Sequence, residues 1–127
     1  MGNRAVVIFH VAGKSFSPAT YLHWHGSAVP QLLEEAHNVM RGRGGDLSYT
    51  VARFIGVCHS RISGNLSLGC FNITAKSIDD LNDHCPGDAG VFAVDISKNT
   101  WVVCRLTGSI SECSAPTFWQ IGEQVNA

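Results

Sequence analysis

The amino-terminal run Arg4 to Val11 constrains the fold of this chain most strongly. It reads Arg-Ala-Val-Val-Ile-Phe-His-Val, and β-branched and aromatic residues in this density predict a strand. A loop containing Gly, Ser and Pro follows, and residues Thr20 to His25 predict a second strand that pairs antiparallel with the first. The chain therefore opens with a hairpin, and later residues have to cover the sheet that it starts.

Two helices are predicted after the hairpin. In the first, Ser27 is the expected N-cap, Pro30 lies in the first turn, and apolar residues recur at helical spacing. In the second, Asp46 is the expected N-cap, and an apolar stripe continues to Arg61. Both stripes are typical of helices that pack on a sheet.

The second half of the chain predicts further strands. Residues Leu66 to Ile73 read as a strand, and Ser77 begins a short helix. Residues Val91 to Ile96 and Trp101 to Leu106 predict a hairpin.

The sum is an α+β fold with about five mainly antiparallel strands and two main helices on one face. We expect a single globular domain over residues 1–127, in which residues 115–127 form a weakly ordered tail. Within this tail, a short helix or strand is expected to pack through Trp119.

Composition narrows the class of protein. Hydrophobic residues make up 45% of the chain and charged residues 15%, which is typical of globular proteins. The formal net charge of −1 gives no overall attraction to nucleic acid or an anionic membrane. The sequence has no apolar run of about 18 residues that could span a bilayer and no signal-peptide cleavage site. We therefore expect a cytoplasmic protein whose five cysteines are free thiols.

The segment Tyr21-Leu22-His23-Trp24-His25-Gly26 holds the first candidate site. Side chains alternate between the two faces of a strand, so Tyr21, His23 and His25 are predicted to share one face. Leu22 and Trp24 then point into the core. The face with the two histidines is a candidate binding surface.

Metal and nucleophile chemistry are weaker interpretations of the histidines and cysteines. His59, His84 and Cys85 could join the two strand histidines in a zinc site, but structural zinc ligands come as close, spaced pairs, and these are largely adjacent residues. We expect no metal and no cofactor. Cys85 lies in a polar loop and is the better candidate nucleophile, because burial of Cys58 on a helix would raise its pKa.

Basic residues suggest a phosphate contact. Arg41 and Arg43 alternate with glycines, which would let the backbone approach a phosphate. The segment lacks the phosphate-loop pattern, however, and a helix C-terminus with arginines near the macrodipole is the favoured explanation of the same residues.

Four aspartates form a candidate acidic patch, which could face a basic partner. Adjacent carboxylates on a helix diverge by about a hundred degrees, so they do not converge on a substrate. The four are Asp79, Asp80, Asp83 and Asp88.

Several blocks of this sequence resemble a family of small proteins from phages, prophages and other bacterial mobile elements. Members of this family begin Met-Gly-Asn-Arg-Ala-Val and carry a Tyr-Leu-His-Trp-Asn-Gly-Gly strand and a later Asp-Asn-Gly-Val-Tyr segment. The matching blocks here are Met1–Val6, Tyr21–Gly26, Ala52–Arg53, Leu66–Gly69 and Asp88–Phe92. The chain departs from the family pattern at His25, Ser27, Ala89 and Phe92.

The resemblance implies a context but no established activity. Small proteins of mobile elements often inhibit host defence, so the leading hypothesis is a non-enzymatic anti-CRISPR protein that binds a protein component of the effector. The first alternative is a module that sequesters a nucleotide signal, and the second is a small hydrolase or thiol enzyme. Nucleic acid and membrane are not expected as direct partners, and a homodimer is possible. The candidate binding residues are Tyr21, His23, His25, Arg41, Arg43 and Arg53.

Overall fold

The computed structural model describes residues 3–40, 45–63, 67–84, 86–109 and 112–122, with the side chains of 79, 82, 83 and 108–115 outside that description. These residues form an α+β domain built on one sheet. Its strands are β1 (Ala5–Val11), β2 (Ser15–Phe16), β3 (Ala19–Leu22), β4 (Leu68–Phe71), β5 (Gly90–Asp95), β6 (Trp101–Ser109) and β7 (Glu112–Ile121). The α-helices are α1 (Val29–Val39) and α2 (Leu47–Arg61), and 3₁₀ helices span Gly26–Ala28 and Ile78–His84.

The described strands lie in the order β4-β3-β1-β5-β6-β7, and β2 pairs with β1. β1 and β3 are antiparallel, with Val6 opposite Tyr21, which confirms the predicted first hairpin. β5, β6 and β7 follow one another antiparallel, and this includes the predicted second hairpin. β1 and β5 are parallel, with Val6 opposite Val91. The mainly antiparallel α+β class is therefore confirmed, with one parallel pair at its centre.

Both α-helices cover the same face of the sheet, as predicted. Phe9 is fully buried under them, and its ring centroid lies 5.5 Å from that of Phe54 and 5.7 Å from that of Trp101. Burial of large aromatic rings in edge-to-face contact supplies much of the stabilisation of such a core. This aromatic group joins α2 to the centre of the sheet.

The opposite face is covered only in part. The 3₁₀ helix Ile78–His84 buries Leu81 against Val6, Ile8 and Ala93 of β1 and β5. It begins where the sequence predicted, because the Asp80 carboxylate accepts hydrogen bonds from the backbone N–H groups of Lys76 and Ser77. The β6 and β7 side of this face is left open.

The two predicted helix caps have different outcomes. The Asp46 carboxylate accepts a hydrogen bond from the Tyr49 N–H at 3.1 Å, which confirms it as the N-cap of α2. Ser27 does not cap α1. It lies inside the preceding 3₁₀ turn, accepts a hydrogen bond from the side-chain amide of Asn3 at 2.9 Å, and leaves Ala28 as the N-cap.

Part of the segment expected to form a weakly ordered tail, residues 115–127, is a strand. Residues 115–121 pair in register with β6, because the β-branched and aromatic residues there complete an antiparallel meander. The Trp119 ring lies 6.2 Å from that of Phe92, which confirms that this segment packs through Trp119. Residues 123–127 of the tail lie outside the described residues.

Candidate functional site

The Tyr21–Gly26 segment is a strand only in its first half. β3 ends at Leu22, and the N–H of Gly26 donates a hydrogen bond to the Asn3 carbonyl at 2.7 Å, where the chain turns into the 3₁₀ helix. Leu22 is buried, as predicted, but the Trp24 side chain is 53% exposed. The core position expected for Trp24 was wrong, because the alternation of faces stops where the strand stops.

Tyr21 and His23 do lie together. The Tyr21 hydroxyl and His23 Nδ1 share a hydrogen bond of 2.7 Å, and the Trp24 ring stands edge-on to the His23 ring at 4.2 Å. His25 lies beyond the bend, and its Nδ1 is buried without a hydrogen-bond partner among the described residues. The three side chains do not form the single strand face that the sequence predicted.

Arg53 is not close to this group. Tyr21 packs against the apolar cluster on the sheet face opposite the α-helices. Arg53 is on the exposed surface of α2, where its guanidinium lies 6.0 Å from the centroid of the Tyr49 ring. The sheet separates Arg53 from Tyr21, so these residues do not build a nucleotide pocket together. Arg41 and Arg43 lie outside the described residues.

The two acidic-patch residues with described side chains bind within the chain. Asp80 caps the 3₁₀ helix, as above. One Asp88 oxygen lies 2.7 Å from Arg4 Nε and also accepts the Arg4 backbone N–H, and these hydrogen bonds lower the pKa of the carboxyl group. The side chains of Asp79 and Asp83 lie outside the described residues. Asp80 and Asp88 therefore have local structural roles.

Three of the blocks that carry the family resemblance meet at one end of the sheet. Gly26 contacts Asn3 as described, and the Ala89 N–H donates to the Arg4 carbonyl at 2.9 Å. A Cβ on Gly26 would lie 2.5 Å from the Asn3 oxygen and 2.6 Å from Ala89 Cβ, closer than packed atoms approach. Packing therefore accounts for the glycine at position 26.

The cysteines and histidines considered for metal or nucleophile chemistry are dispersed. Cys58 is buried in the core, which raises its pKa to about 12, as the sequence led us to expect. His59 is exposed on α2, and the His84 ring lies 5.7 Å from that of Phe71. Cys85 lies outside the described residues. Within the described part of the chain, no three His, Cys, Asp or Glu side chains are arranged to hold a metal ion.

A groove between the helices is polar and mixed in charge. Its volume is about 470 Å³, and Arg61 at the end of α2 forms an ion pair with Glu35 of α1 across it. Gln31, Glu34 and Asn38 complete its polar wall. Both charged partners are substantially exposed, so the pair has the character of a solvated surface contact.

A more apolar cavity, of about 310 Å³, lies where the other sheet face is left uncovered. On β6 and β7 it is bounded by residues that we call the open sheet face. They are Val102, Cys104, Leu106, Pro116 and Phe118. Phe118 is 65% exposed and Val102 39% exposed. Large apolar side chains left this accessible are typical of interaction surfaces when they are contiguous.

His10 and Asp95 are the ionisable residues that line this cavity beside Cys104. His10 is buried there, and its Nδ1 accepts a hydrogen bond from the Gly13 N–H at 2.9 Å. Burial lowers the pKa of His10, although the Asp95 carboxylate opposes the shift. Burial alone would raise the pKa of Asp95, but hydrogen bonds from the backbone N–H groups of Ala12 and Ser97 outweigh it and lower that pKa. At neutral pH Asp95 is thus charged and His10 is neutral.

Cys104 lies at the centre of the open sheet face. Burial raises the pKa of its thiol, which favours the protonated form and not the thiolate that nucleophilic attack requires. Cys104 is therefore better suited to packing against apolar side chains than to nucleophilic attack. His10, Cys104 and Phe118 could not be grouped from the sequence, because they are brought together by the successive pairing of β1 with β5, β5 with β6 and β6 with β7.

No helix among the described residues is long and apolar enough to cross a bilayer. Compared with known protein families, curated proteins and solved structures, the chain matches none of them.

The position of His10 predicts a pH dependence of stability. In the unfolded chain His10 has its ordinary pKa of 6.5, and in the fold that pKa is lower. Between the two values the unfolded state binds more protons, so the free energy of unfolding should decrease as the pH falls below about 6.5. His10→Asn keeps an acceptor for the Gly13 N–H without titrating, and it should flatten this decrease.

Urea unfolding at about pH 7.5, 6.5 and 5.5 measures the effect above the range where carboxylates titrate. The control is His59→Asn, which removes a histidine from the exposed surface of α2 and leaves the β1–β2 turn intact. An unchanged slope in the His10→Asn variant would contradict the assignment.

Proposed function

We propose that this protein is a non-enzymatic, protein-binding inhibitor of a bacterial defence system, and that its target is a protein component of a CRISPR effector. The observation that carries the binding role is the exposed Phe118 beside the cavity of the open sheet face. The choice of target rests on the resemblance to proteins of phages and other mobile elements. Its place of action is then the cytoplasm of the bacterial host.

The open sheet face places an exposed aromatic side chain, Phe118, next to an apolar cavity. Aromatic anchors next to a desolvated apolar pocket contribute most of the binding energy in protein interfaces. Phe118 offers such an anchor, and the cavity beside it can accept a side chain of the partner. Neighbouring strands of the sheet hold both Phe118 and the cavity in place, so little backbone conformational entropy is lost on binding.

The cavity also indicates the chemistry of the partner. Asp95 is the one charged group among its described lining residues at neutral pH, since the pKa of His10 is lowered. A partner segment that places an apolar side chain beside a lysine or arginine would match both the apolar wall and this carboxylate.

The experiment is phage plaquing on bacterial hosts that each carry one defined defence system, with and without this protein. We expect rescue of plaquing against a CRISPR system, together with capture of one of its protein components by the purified chain. Phe118→Ala should weaken this capture by about tenfold or more, as truncation of a hot-spot aromatic does.

The matched control is Val39→Ala, which removes an apolar side chain that is 45% exposed on α1. It should leave both rescue and capture unchanged. The proposal fails if no CRISPR system is inhibited and no component is captured. If Phe118→Ala and Val39→Ala behave alike, the open sheet face is not the binding surface.

A further inference from the structure

β7 forms one outer edge of the sheet along its whole length. It pairs with β6 on one side and has no strand on the other among the described residues. It spans ten residues, whereas the opposite edge strand, β4, spans four. The outward N–H and C=O groups of an edge strand are a template for another strand.

Two protecting features of β7, Pro116 and the register shift opposite Thr107 and Gly108, lie before Thr117, and residues Thr117–Ile121 lack the charged side chains that protect such an edge. No charged residue occurs from Cys113 to Gly122, whereas protected edges carry lysines or inward-pointing charges. Pro116 is the one residue in this run that cannot donate a backbone hydrogen bond. The five residues after it, Thr117–Ile121, are rich in β-branched and aromatic types, which favour strand pairing.

We propose that a second copy of this chain pairs antiparallel along β7 over Thr117–Ile121, with the two-fold axis at Trp119. Pairing about such an axis is self-complementary. If residue i of one copy lies opposite residue j of the other, then residue j of the first copy lies opposite residue i of the second. Residues Thr117–Ile121 are uncharged, so pairing this segment with its copy brings no like charges together. The register places Phe118 of each copy opposite Gln120 of the other.

This register has a consequence for the surface proposed to bind the target. Phe118 and Gln120 are exposed and project from the same side of β7, which is the side of the open sheet face. Pairing of the two edges would therefore join the two open sheet faces into one continuous apolar surface. This consequence rests on the proposed function, whereas the pairing itself does not.

The test is the oligomeric state of the full chain in reducing buffer, measured by sedimentation velocity across a dilution series. We expect a reversible dimer. The double variant Phe118→Lys with Gln120→Lys places lysines opposite each other twice, and should raise the dimer dissociation constant by about tenfold or more. The variant Phe118→Lys with Gln120→Glu turns both pairs into opposite charges, and should restore dissociation to within about threefold of the unmodified chain.

Val102→Lys is the control, because it places a lysine on the same face of the sheet but one strand away from the edge. It should not change the dimer. Hydrogen exchange of the unmodified chain gives a second measurement that needs no variant. The amides of residues 117–121 that do not bond to β6 should exchange more slowly as protein concentration rises.

Three results would overturn the proposal. They are a monomer at every concentration, a dimer that persists with both lysines, and failure of the lysine–glutamate variant to restore pairing. If the chain is monomeric, and the outward amides of residues 117–121 become protected only when a target component is bound, the edge accepts a strand from the target and not a second copy. If the unmodified chain dimerises and the two lysines disrupt the dimer, but no defence system is inhibited, the proposed pairing stands and the proposed function fails.

Discussion

Replacing Gly90 with alanine should lower the free energy of unfolding by about 3–4 kcal/mol, one of the larger effects of any single substitution in this chain. Gly90 begins β5 with a φ of +89°, a conformation that residues with a side chain rarely adopt. A Cβ there would lie 2.0 Å from the Leu106 carbonyl oxygen. The clash is with backbone, so it can be relieved only by moving β5 away from β6.

Urea unfolding followed by tryptophan fluorescence measures this change. Gly69→Ala is the control, since a Cβ at Gly69 in β4 meets nothing within 4 Å, and its effect should stay within about 0.5 kcal/mol. Similar losses for the two variants would show that the close approach of Gly90 to β6 is not what requires glycine.

Truncating Phe9 to alanine should cost a similar amount, about 3–5 kcal/mol. The ring is fully buried between Phe54 and Trp101, so its removal loses the transfer free energy and leaves a cavity at the junction of α2 and the sheet. Phe9→Leu retains most of the volume and should cost less than about 1.5 kcal/mol.

The same unfolding measurement separates these two variants. Phe71→Ala is the matched control, because Phe71 on β4 is 37% exposed, and we expect a loss below about 2 kcal/mol. If Phe9→Ala were no more destabilising than Phe71→Ala, the core would not be centred on β1.

The sequence predicted correctly those helices and hairpins whose residue patterns lie within the element itself. The apolar stripe and the Asp46 cap defined α2 almost to the residue, and the residues around the β5–β6 turn defined that hairpin. Ser27 satisfied the same rule for a cap but does not cap a helix. Its hydroxyl is hydrogen-bonded by Asn3, a residue distant in sequence, and no local pattern records that competition.

The candidate sites were harder to predict because they depend on which residues long-range pairing brings together. The expected alternation of side chains along a strand placed His23 on one face and Trp24 on the other. β3 ends at Leu22, however, so the alternation reaches neither residue. Arg53 was grouped with Tyr21 by residue type, and the sheet lies between them. The cavity beside Phe118 joins β1, β5, β6 and β7, so its lining could not be derived from the spacing of residues.

The parallel pairing of β1 with β5 has a consequence for how the chain folds as it is synthesised. Ala5 pairs with Gly90, and His10 with Asp95, so the centre of the sheet joins segments 85 residues apart in sequence. Contacts of this range slow folding, because a long loop must close before the contact is formed. The amino-terminal hairpin leaves the ribosome early, but its apolar strand stays without its central neighbour until residues 90–95 emerge. For a growing chain, this interval is when β1 is most exposed to aggregation and most dependent on chaperones.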